Sequence, residues 1–320
     1  MSLFTEQINS WDDWGKIFQS IPAFTSLIEY IMAKENLPFL EIENLKPGTN
    51  AVFKVGNNVI KIFAPPEFSK DEDYGTNVDV ELFGMKLANS QGVPSPKLIA
   101  FGSIDDKYHF RYMIMEYIHG KLLGDIAESL SYENKVNIGR QIRNITDKLN
   151  VPCQNFTNID VMKYALGCSG WEDLGFPESL RNERLAYLTN FHIDKQDKVY
   201  CHSDFHCENI LIDDDLNVYL IDFADAMFAP AKYEQAYIAS ALFCFEKPYM
   251  MGYFGDYNVQ TIVDLCMTWL PIHAWGYATI EGNFKSLEDM LSFAVLREKL
   301  HGLIEAEKST LADASGVIIP

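Results

Sequence analysis

The chain has 320 residues, 48% of them apolar and 22% charged, and a formal charge of −19 from 26 basic and 45 acidic side chains. That length supports two lobes and at least one sizeable core, and the ordinary composition excludes a disordered, collagenous or disulfide-stapled chain. So acidic a surface repels nucleic acid and anionic membrane, favours cationic partners, and requires locally placed positive charge wherever a phosphate binds.

No basic segment followed by an apolar run and a small-residue cleavage site opens the chain. The most apolar late stretch, Val263 to Ile280, is broken by Asp264, Pro271 and His273, so a cytoplasmic protein without a membrane span is expected. Six scattered cysteines (Cys153, Cys168, Cys201, Cys207, Cys244 and Cys266) form no C-x-x-C pair and read as free, buried or half-buried thiols.

Residues 1–36 form a helical preface, apolar from Ile21 to Ala33 and ended near Pro38. Strands are predicted over Phe39–Leu45, Val52–Val55 and Val59–Phe63, with Gly56-Asn57-Asn58 turning a hairpin between the last two. Residues 64–76, rich in proline and charge, are a loop. Residues 77–90 are a helix with Val80, Phe83, Gly84 and Leu87 on one face. Pro94 and Pro96 bracket a turn before strands at Lys97–Ser103 and Tyr108–Tyr117.

Beyond Gly120 the pattern is helical, as in Ile138, Ile142, Ile145 and Leu149. It recurs in Leu287, Met290, Leu291 and Ala294, with Ser286 and Asp289 placed as a capping box. One island of short strands interrupts it: Val199–Cys201, Ile210–Ile212 and Val218–Ile221, the last two joined by a turn at Asp213–Asn217. No internal repeat is present. The fold class is α+β: a strand-rich front over residues 1–118, including the helical extension, and a helical back over 119–320.

The most informative block is His202-Ser203-Asp204-Phe205-His206-Cys207-Glu208-Asn209, then strand 210–212, then Ile221-Asp222-Phe223-Ala224-Asp225. Phosphoryl transfer needs a carboxylate aimed at the attacking hydroxyl and oxygen ligands that hold Mg²⁺ against the phosphates. An Asp, an Asn five residues on, a hairpin and a second Asp supply that set, because Mg²⁺ keeps part of its water and needs few protein ligands.

This block resembles the H-G-D-x-x-x-x-N catalytic loop and I-D-[FW] metal strand of the aminoglycoside phosphotransferase and choline kinase-like small-molecule kinases, a family with the protein-kinase fold. The resemblance implies a bilobal structure with Asp204 as catalytic base, Asn209 and Asp222 as Mg²⁺ ligands, His202 as a buttress and Asp225 as a supporting residue. Ser203 departs from the usual Gly. In the front half, Asn58-Val59-Ile60-Lys61 resembles the strand of the nucleotide lysine, and Glu81 its helix partner, with Asp79 as a competing candidate. Tyr112–Gly120 resembles the hinge, where the Glu116 carbonyl and Ile118 amide would read the purine. Pro47-Gly48-Thr49-Asn50-Ala51, with Thr49 and Asn50 against phosphate, stands in the place of the phosphate-covering loop. It lacks the G-x-G-x-x-G of protein kinases, as members of this family often do.

The implied reaction transfers the γ-phosphate of ATP or GTP, with Mg²⁺, to the hydroxyl of a small molecule such as an aminoglycoside or similar cationic antibiotic. Acidic residues that could meet amines include Glu172, Asp173, Glu178, Glu183, Glu246 and Asp256. Other readings stay open: a choline-like amine, sugar or nucleoside as acceptor, a non-catalytic nucleotide-binding module, a protein kinase, or a zinc hydrolase using His202, Asp204 and His206. The last lacks a second His/Cys cluster to complete a site. Asp213, Asp215 and Asn217 mimic a calcium loop, but Val218 and Ala224 at the sixth and twelfth positions make a polar turn the better reading. Glu234 reads as structural, Cys207 as a buried thiol, and the aromatics Trp171, Tyr249, Tyr253, Trp269 and Trp275 as mostly core.

Overall fold

The computed structural model describes residues 2–46, 48–66, 76–154, 156–284 and 286–309. Pro47 and positions 67–75 of the predicted 64–76 loop lie outside them. The chain divides into two compact units, Met1–Ser90 with Pro94–His119, and Gln91–Val93 with Gly120–Pro320. Among the described residues no helix is long and apolar enough to cross a membrane.

The first unit contains helices α1 (Trp11–Ile17), α2 (Ile21–Lys34) and α3 (Thr76–Ser90). Its strands are β1 (Ile42–Asn44), β2 (Ala51–Val55), β3 (Asn58–Ile62), β4 (Leu98–Asp105) and β5 (His109–Glu116). The strands make one antiparallel sheet in the order β1-β2-β3-β5-β4. Strand β2 alternates buried Ala51, Phe53 and Val55 with half-buried neighbours, the period-two signature of a strand. Gly56, at φ +63°, turns the chain from β2 to β3, in a backbone region that a residue with a Cβ enters only at a cost.

The helical preface supplies much of this unit's core. Phe4, Trp14, Phe24, Leu27, Ile28 and Ile31 are buried against Phe53, Ile60, Ile62, Phe110, Tyr112 and Ile114 of the sheet. Phe4 packs 5.1 Å from Phe24 and 5.0 Å from Phe110, and Phe24 lies 5.5 Å from Phe53. The segment before α1 is strapped to the β4–β5 end of the sheet. Asp106 accepts from Ser2 Oγ and the amides of Leu3 and Phe4, and the Tyr108 hydroxyl meets both N and O of Ile8 at 2.7 and 3.1 Å.

Helix α3 turns differently from the sequence expectation. Its buried positions include Val80, Glu81, Gly84, Met85 and Ala88, whereas Phe83 and Leu87 are only half-buried. The inward stripe therefore includes a carboxylate, which an apolar-periodicity argument assigns to solvent.

The second unit begins with β6 (Lys121–Leu122), α4 (Leu123–Ile126), α5 (Tyr132–Leu149), α6 (Val161–Gly167), α7 (Gly170–Asp173) and α8 (Glu178–Asn190). Strands β7 (Lys198–Cys201), β8 (Ile210–Ile212), β9 (Val218–Leu220) and β10 (Met227–Pro230) follow, then α9 (Ala231–Tyr237), α10 (Lys247–Phe254), α11 (Val259–Trp269), α12 (Gly276–Asn283) and α13 (Phe293–Ser309). Strands β6, β8 and β9 form one small sheet, and β7 pairs with β10 in another. Helix α5 is capped by Ser131, which accepts from the Asn134 amide, and buries Ile138, Ile142, Ile145 and Leu149. It lies against α10 where two glycines meet. A Cβ on Gly139 would stand 2.4 Å from the Tyr249 carbonyl oxygen, and one on Gly252 would stand 2.2 Å from that of Val136.

Helix α13 starts at Phe293, so the helix expected from Leu287 is a turn closed by Met290 N–H to the Leu287 carbonyl. The capping serine is Ser292, whose hydroxyl accepts from Val295, and not Ser286. Among the expected core aromatics, Trp171, Tyr249, Tyr253 and Trp269 are buried. All six cysteines are free, with Cys244 exposed and Cys207 half-buried, where burial was expected for Cys207.

The helix crossing yields the first test. Gly139→Ala should lower unfolding free energy by about 2 kcal/mol through overpacking. Gly302→Ala in α13, where a Cβ meets nothing within 4 Å, should raise it by about 0.5–1 kcal/mol. Urea denaturation of both variants measures the contrast.

Candidate active site

In the first unit, β3 and α3 place one buried ion pair. Lys61 Nζ donates to Glu81 Oε1 at 2.8 Å, with the two residues 6% and 2% exposed. Lys61 shares a strand face with Val59 and Phe63, both buried, and its ammonium stands 5.5 Å from the Phe63 ring centroid. Asp79, the competing candidate, pairs instead with Arg111 on β5. The half-turn between positions 79 and 81 sends one carboxylate outward and the other inward.

At the mouth of the β2–β3 hairpin, the Thr49 carbonyl accepts from the Trp14 indole at 2.9 Å, and Asn50 Oδ1 accepts from the Ala64 amide at 3.2 Å. At the end of β5, Glu116 N–H donates to the Lys97 carbonyl and Tyr117 N–H to that of Asn57. The Ile118 amide makes no hydrogen bond among the described residues.

In the second unit, the loop from β7 to β8 carries His202, Ser203, Asp204 and Asn209, and β9 delivers Asp222. His202 is fully buried between Phe205 and Phe223, each ring 5.1 Å away. Its Nδ1 faces the Asp204 amide at 3.4 Å and its Nε2 the Ile221 carbonyl at 3.1 Å. An amide N–H at Nδ1 and a carbonyl at Nε2 require the ring to accept at Nδ1 and donate at Nε2, and burial, which holds its pKa below the usual value, favours that neutral form. One imidazole thereby ties the residue carrying the Asp204 carboxylate to the residue before Asp222. Asn209 completes the tie, because its carbonyl accepts the Ile221 N–H at 3.0 Å.

The Asn209 side chain donates through Nδ2 to both the Asp204 carbonyl, at 2.9 Å, and Asp204 Oδ2, at 2.8 Å. Two acceptors at one terminus fix the amide's orientation and leave Oδ1 pointing away from Asp204. His206 Nε2 lies 3.2 Å from the same Asp204 Oδ2. Burial pulls the His206 pKa down, but the Asp204 carboxylate more than offsets this and the net shift is upward. Among the described residues no three His, Cys, Asp or Glu side chains converge as on a metal ion. An amide oxygen and one carboxylate nevertheless fit Mg²⁺, whose octahedral shell is otherwise filled by water and phosphate oxygens.

Two residues here stand in the left-handed region without being glycine, Ser203 at φ +67° and Asp222 at φ +60°. Such conformations cost about 1–2 kcal/mol apiece and persist where surrounding contacts enforce them. At Ser203 the enforcing group is Glu234 on α9. Its Oε2 accepts the Ser203 N–H at 2.9 Å, and its Oε1 accepts from Asn150 Nδ2 at 2.8 Å. Burial pushes the Glu234 carboxyl up to about 7, while hydrogen bonds from Ser203, Asn150 and the His202 amide pull it down. Ser203 Oγ adds a bond to the Cys201 carbonyl at 3.3 Å.

Gln141 of α5 was not anticipated from sequence. Its Oε1 accepts from the Val218 amide and its Nε2 donates to the Leu216 carbonyl, which braces the turn behind Asn209 and Asp222. In that turn Asp213 accepts from the amides of Asp215 and Asn217, from Asn217 Nδ2 and from the Tyr219 hydroxyl, so the calcium-like residues are consumed by the turn itself. Burial, then the charges of Asp204 and Asp225, raise the Tyr237 pKa, and Asp225 also raises that of Tyr164 behind burial and two other groups. Several acidic residues proposed for amines are already engaged: Glu172 with Arg181, Glu246 with Lys135, Asp256 with Lys308, and Glu183 with the Phe293 amide.

Glu234→Ala should strand the Ser203 and Asn150 donors in the interior and lower unfolding free energy by about 2–4 kcal/mol. At the strained position, Ser203→Gly should stay within about 1 kcal/mol of the parent, whereas the β-branched Ser203→Val should lose about 2 kcal/mol or more. Chemical denaturation of the three variants reads both effects.

Among solved structures, the chain is similar to aminoglycoside 2'-phosphotransferase-IIIa in its GDP complex. The two are 17% identical, the match covers 89% of this chain and 98% of that one, and the TM-score is 0.55. It is similar also to APH(2")-IIa in a ternary complex with streptomycin and ATP, at 14% identity, 85% and 97% coverage and TM-score 0.56. Aminoglycoside phosphotransferase APH(4)-Ia matches at 16% identity, 88% and 98% coverage and TM-score 0.52. No curated protein matches. At these identities the likeness shows the fold, the α+β protein-kinase-like one expected from the motifs. The phosphotransferase enzyme family model matches residues 83–260, more than half of the chain, from the helix of Glu81 through the loop of Asp204 and Asn209 to the start of α11. The chain belongs to the phosphotransferase enzyme family.

Proposed function

We propose that this phosphotransferase moves the γ-phosphate of ATP or GTP to a hydroxyl of a small molecule, most naturally an aminoglycoside or similar cationic antibiotic. The observation that carries the reading is the grip on Asp204. Asn209 and His206 both bind Oδ2, which leaves Oδ1 as the acceptor for a substrate proton. Asp204 orients the acceptor hydroxyl and takes its proton as the new P–O bond forms and the bond to the β-phosphate oxygen breaks, with the nucleoside diphosphate leaving. Asn209 through Oδ1 and Asp222 through its carboxylate would hold Mg²⁺, which when bound offsets charge on the phosphates. Lys61, fixed by Glu81, meets the α- and β-phosphates. Thr49 and Asn50 line the phosphate loop, and Glu116 and Ile118 read the purine through the backbone.

A cationic acceptor is supported by the overall charge of −19 and by the carboxylates of Asp204 and Asp225, whose charges both raise the pKa of the buried Tyr237 phenol behind the effect of burial. Carboxylates and aromatic rings both attract amines. The similar proteins include one in complex with GDP and kanamycin and one with streptomycin and ATP.

The test is Mg²⁺-dependent consumption of ATP and GTP against aminoglycosides, other hydroxyl-bearing antibiotics, choline and sugars. Stimulation by one class is expected. Asp204→Asn should lower kcat by about 10²–10⁴-fold while nucleotide affinity stays within about twofold. Near-normal turnover in that variant would overturn the assignment.

A further inference from the structure

The hydrogen bond from Trp14 to Thr49 joins the helical preface to the loop where nucleotide phosphate is proposed to sit. Trp14 is 1% exposed, and its ring is packed by Phe18 at 6.3 Å in a stacked arrangement and by Phe24 at 5.9 Å edge-on. Its Nε1–H can therefore reach the Thr49 carbonyl in only one direction. Helix α1 behind it is set by Ser10, whose hydroxyl accepts from the Asp13 amide. The chain before α1 is set by Asp106 and Tyr108.

A trans peptide is planar, and its C=O and N–H point in opposite directions. Fixing the Thr49 carbonyl against Trp14 therefore aims the Asn50 N–H the other way. That amide makes no hydrogen bond among the described residues, and the Asn50 side chain is held apart by the Ala64 amide. Thr49 and Gly48 beside it are exposed, and β2 begins one residue later. The result is a donor just before the start of β2 with its direction set from behind.

We propose that Trp14 is a positioning residue for nucleotide binding: by holding the Thr49 carbonyl it presents the Asn50 backbone N–H to a phosphate oxygen of the nucleoside triphosphate, and it makes the preface part of the nucleotide site. This rests on the proposed role of the loop at Gly48–Ala51. It predicts a loss confined to the phosphates, since nothing in the arrangement touches a nucleoside.

The experiment compares equilibrium binding of ATP with adenosine, and of GTP with guanosine, by titration calorimetry on the full chain with Mg²⁺ present. The parent protein is set beside Trp14→Phe and beside a variant with a tryptophan isostere at position 14 whose ring nitrogen is replaced by sulfur. The isostere keeps the ring's shape and removes only the donor, so it decides the question if the Phe variant is poorly folded. The expected result is about fivefold weaker triphosphate binding, the scale of one hydrogen bond, with nucleoside binding within about twofold of the parent. Unchanged triphosphate affinity, or equal losses for triphosphate and nucleoside, would overturn the proposal while leaving the kinase reading intact. A parent protein that binds no triphosphate would remove that reading, and this inference with it.

Discussion

The geometry of the second unit's Asp204 loop depends on one hydrogen bond, from the Ser203 N–H to the buried Glu234 carboxylate. A left-handed residue between β7 and Asp204 is what swings the chain so that the Asp204 side chain and the Asn209 amide face each other. A serine does not choose that conformation unaided. Glu234 supplies the compulsion by accepting an N–H that would otherwise be buried without a partner, and Asn150 keeps the carboxylate in place from its other oxygen. His202 performs the matching task one residue earlier, joining the Asp204 amide to the strand that delivers Asp222. The loop's geometry is thus set from beneath, by groups that need never touch a substrate.

The first unit solves a different problem with similar means. A buried lysine is tolerated only when paired, and Glu81 pairs it because α3 presents positions 81, 85 and 88 to the interior. The sheet that carries Lys61 is itself stiffened by the preface, whose aromatic side chains fill the space between α2 and the strands. What looks in sequence like an extension is, in packing terms, half of a core.

Eight of the ten described strands were legible because β-branched and aromatic runs are separated by Gly, Pro and Asn, and most of their boundaries fall within two residues of those expected; the short β6 and β10 were not expected. The motif block was legible because phosphoryl transfer needs fixed residue types at short spacing, and Lys61 and Glu81 do meet. Three features were less so. The face of α3 was partly legible: Val80 and Gly84 are buried as expected and Phe83 and Leu87 only half so, while the inward Glu81 followed from the family resemblance and not from apolar periodicity. The helix expected from Leu287 fails because a second serine, Ser292, caps the chain six residues after Ser286. Gln141, Asn150 and Trp14 act through contacts more than 30 residues distant in sequence, and no local pattern announces such a contact.

The burial of the Lys61–Glu81 pair also separates two electrostatic scales in this molecule. Most of the net charge of −19 sits on exposed side chains, where repulsion fades over a Debye length of about 8 Å at physiological ionic strength. The buried pair has almost no solvent ions beside it and is screened far less. Added salt therefore relaxes the mutual repulsion of the acidic surface while leaving this internal attraction nearly intact. Ionic strength thus acts on the acidic surface and hardly at all on the pair that fixes Lys61.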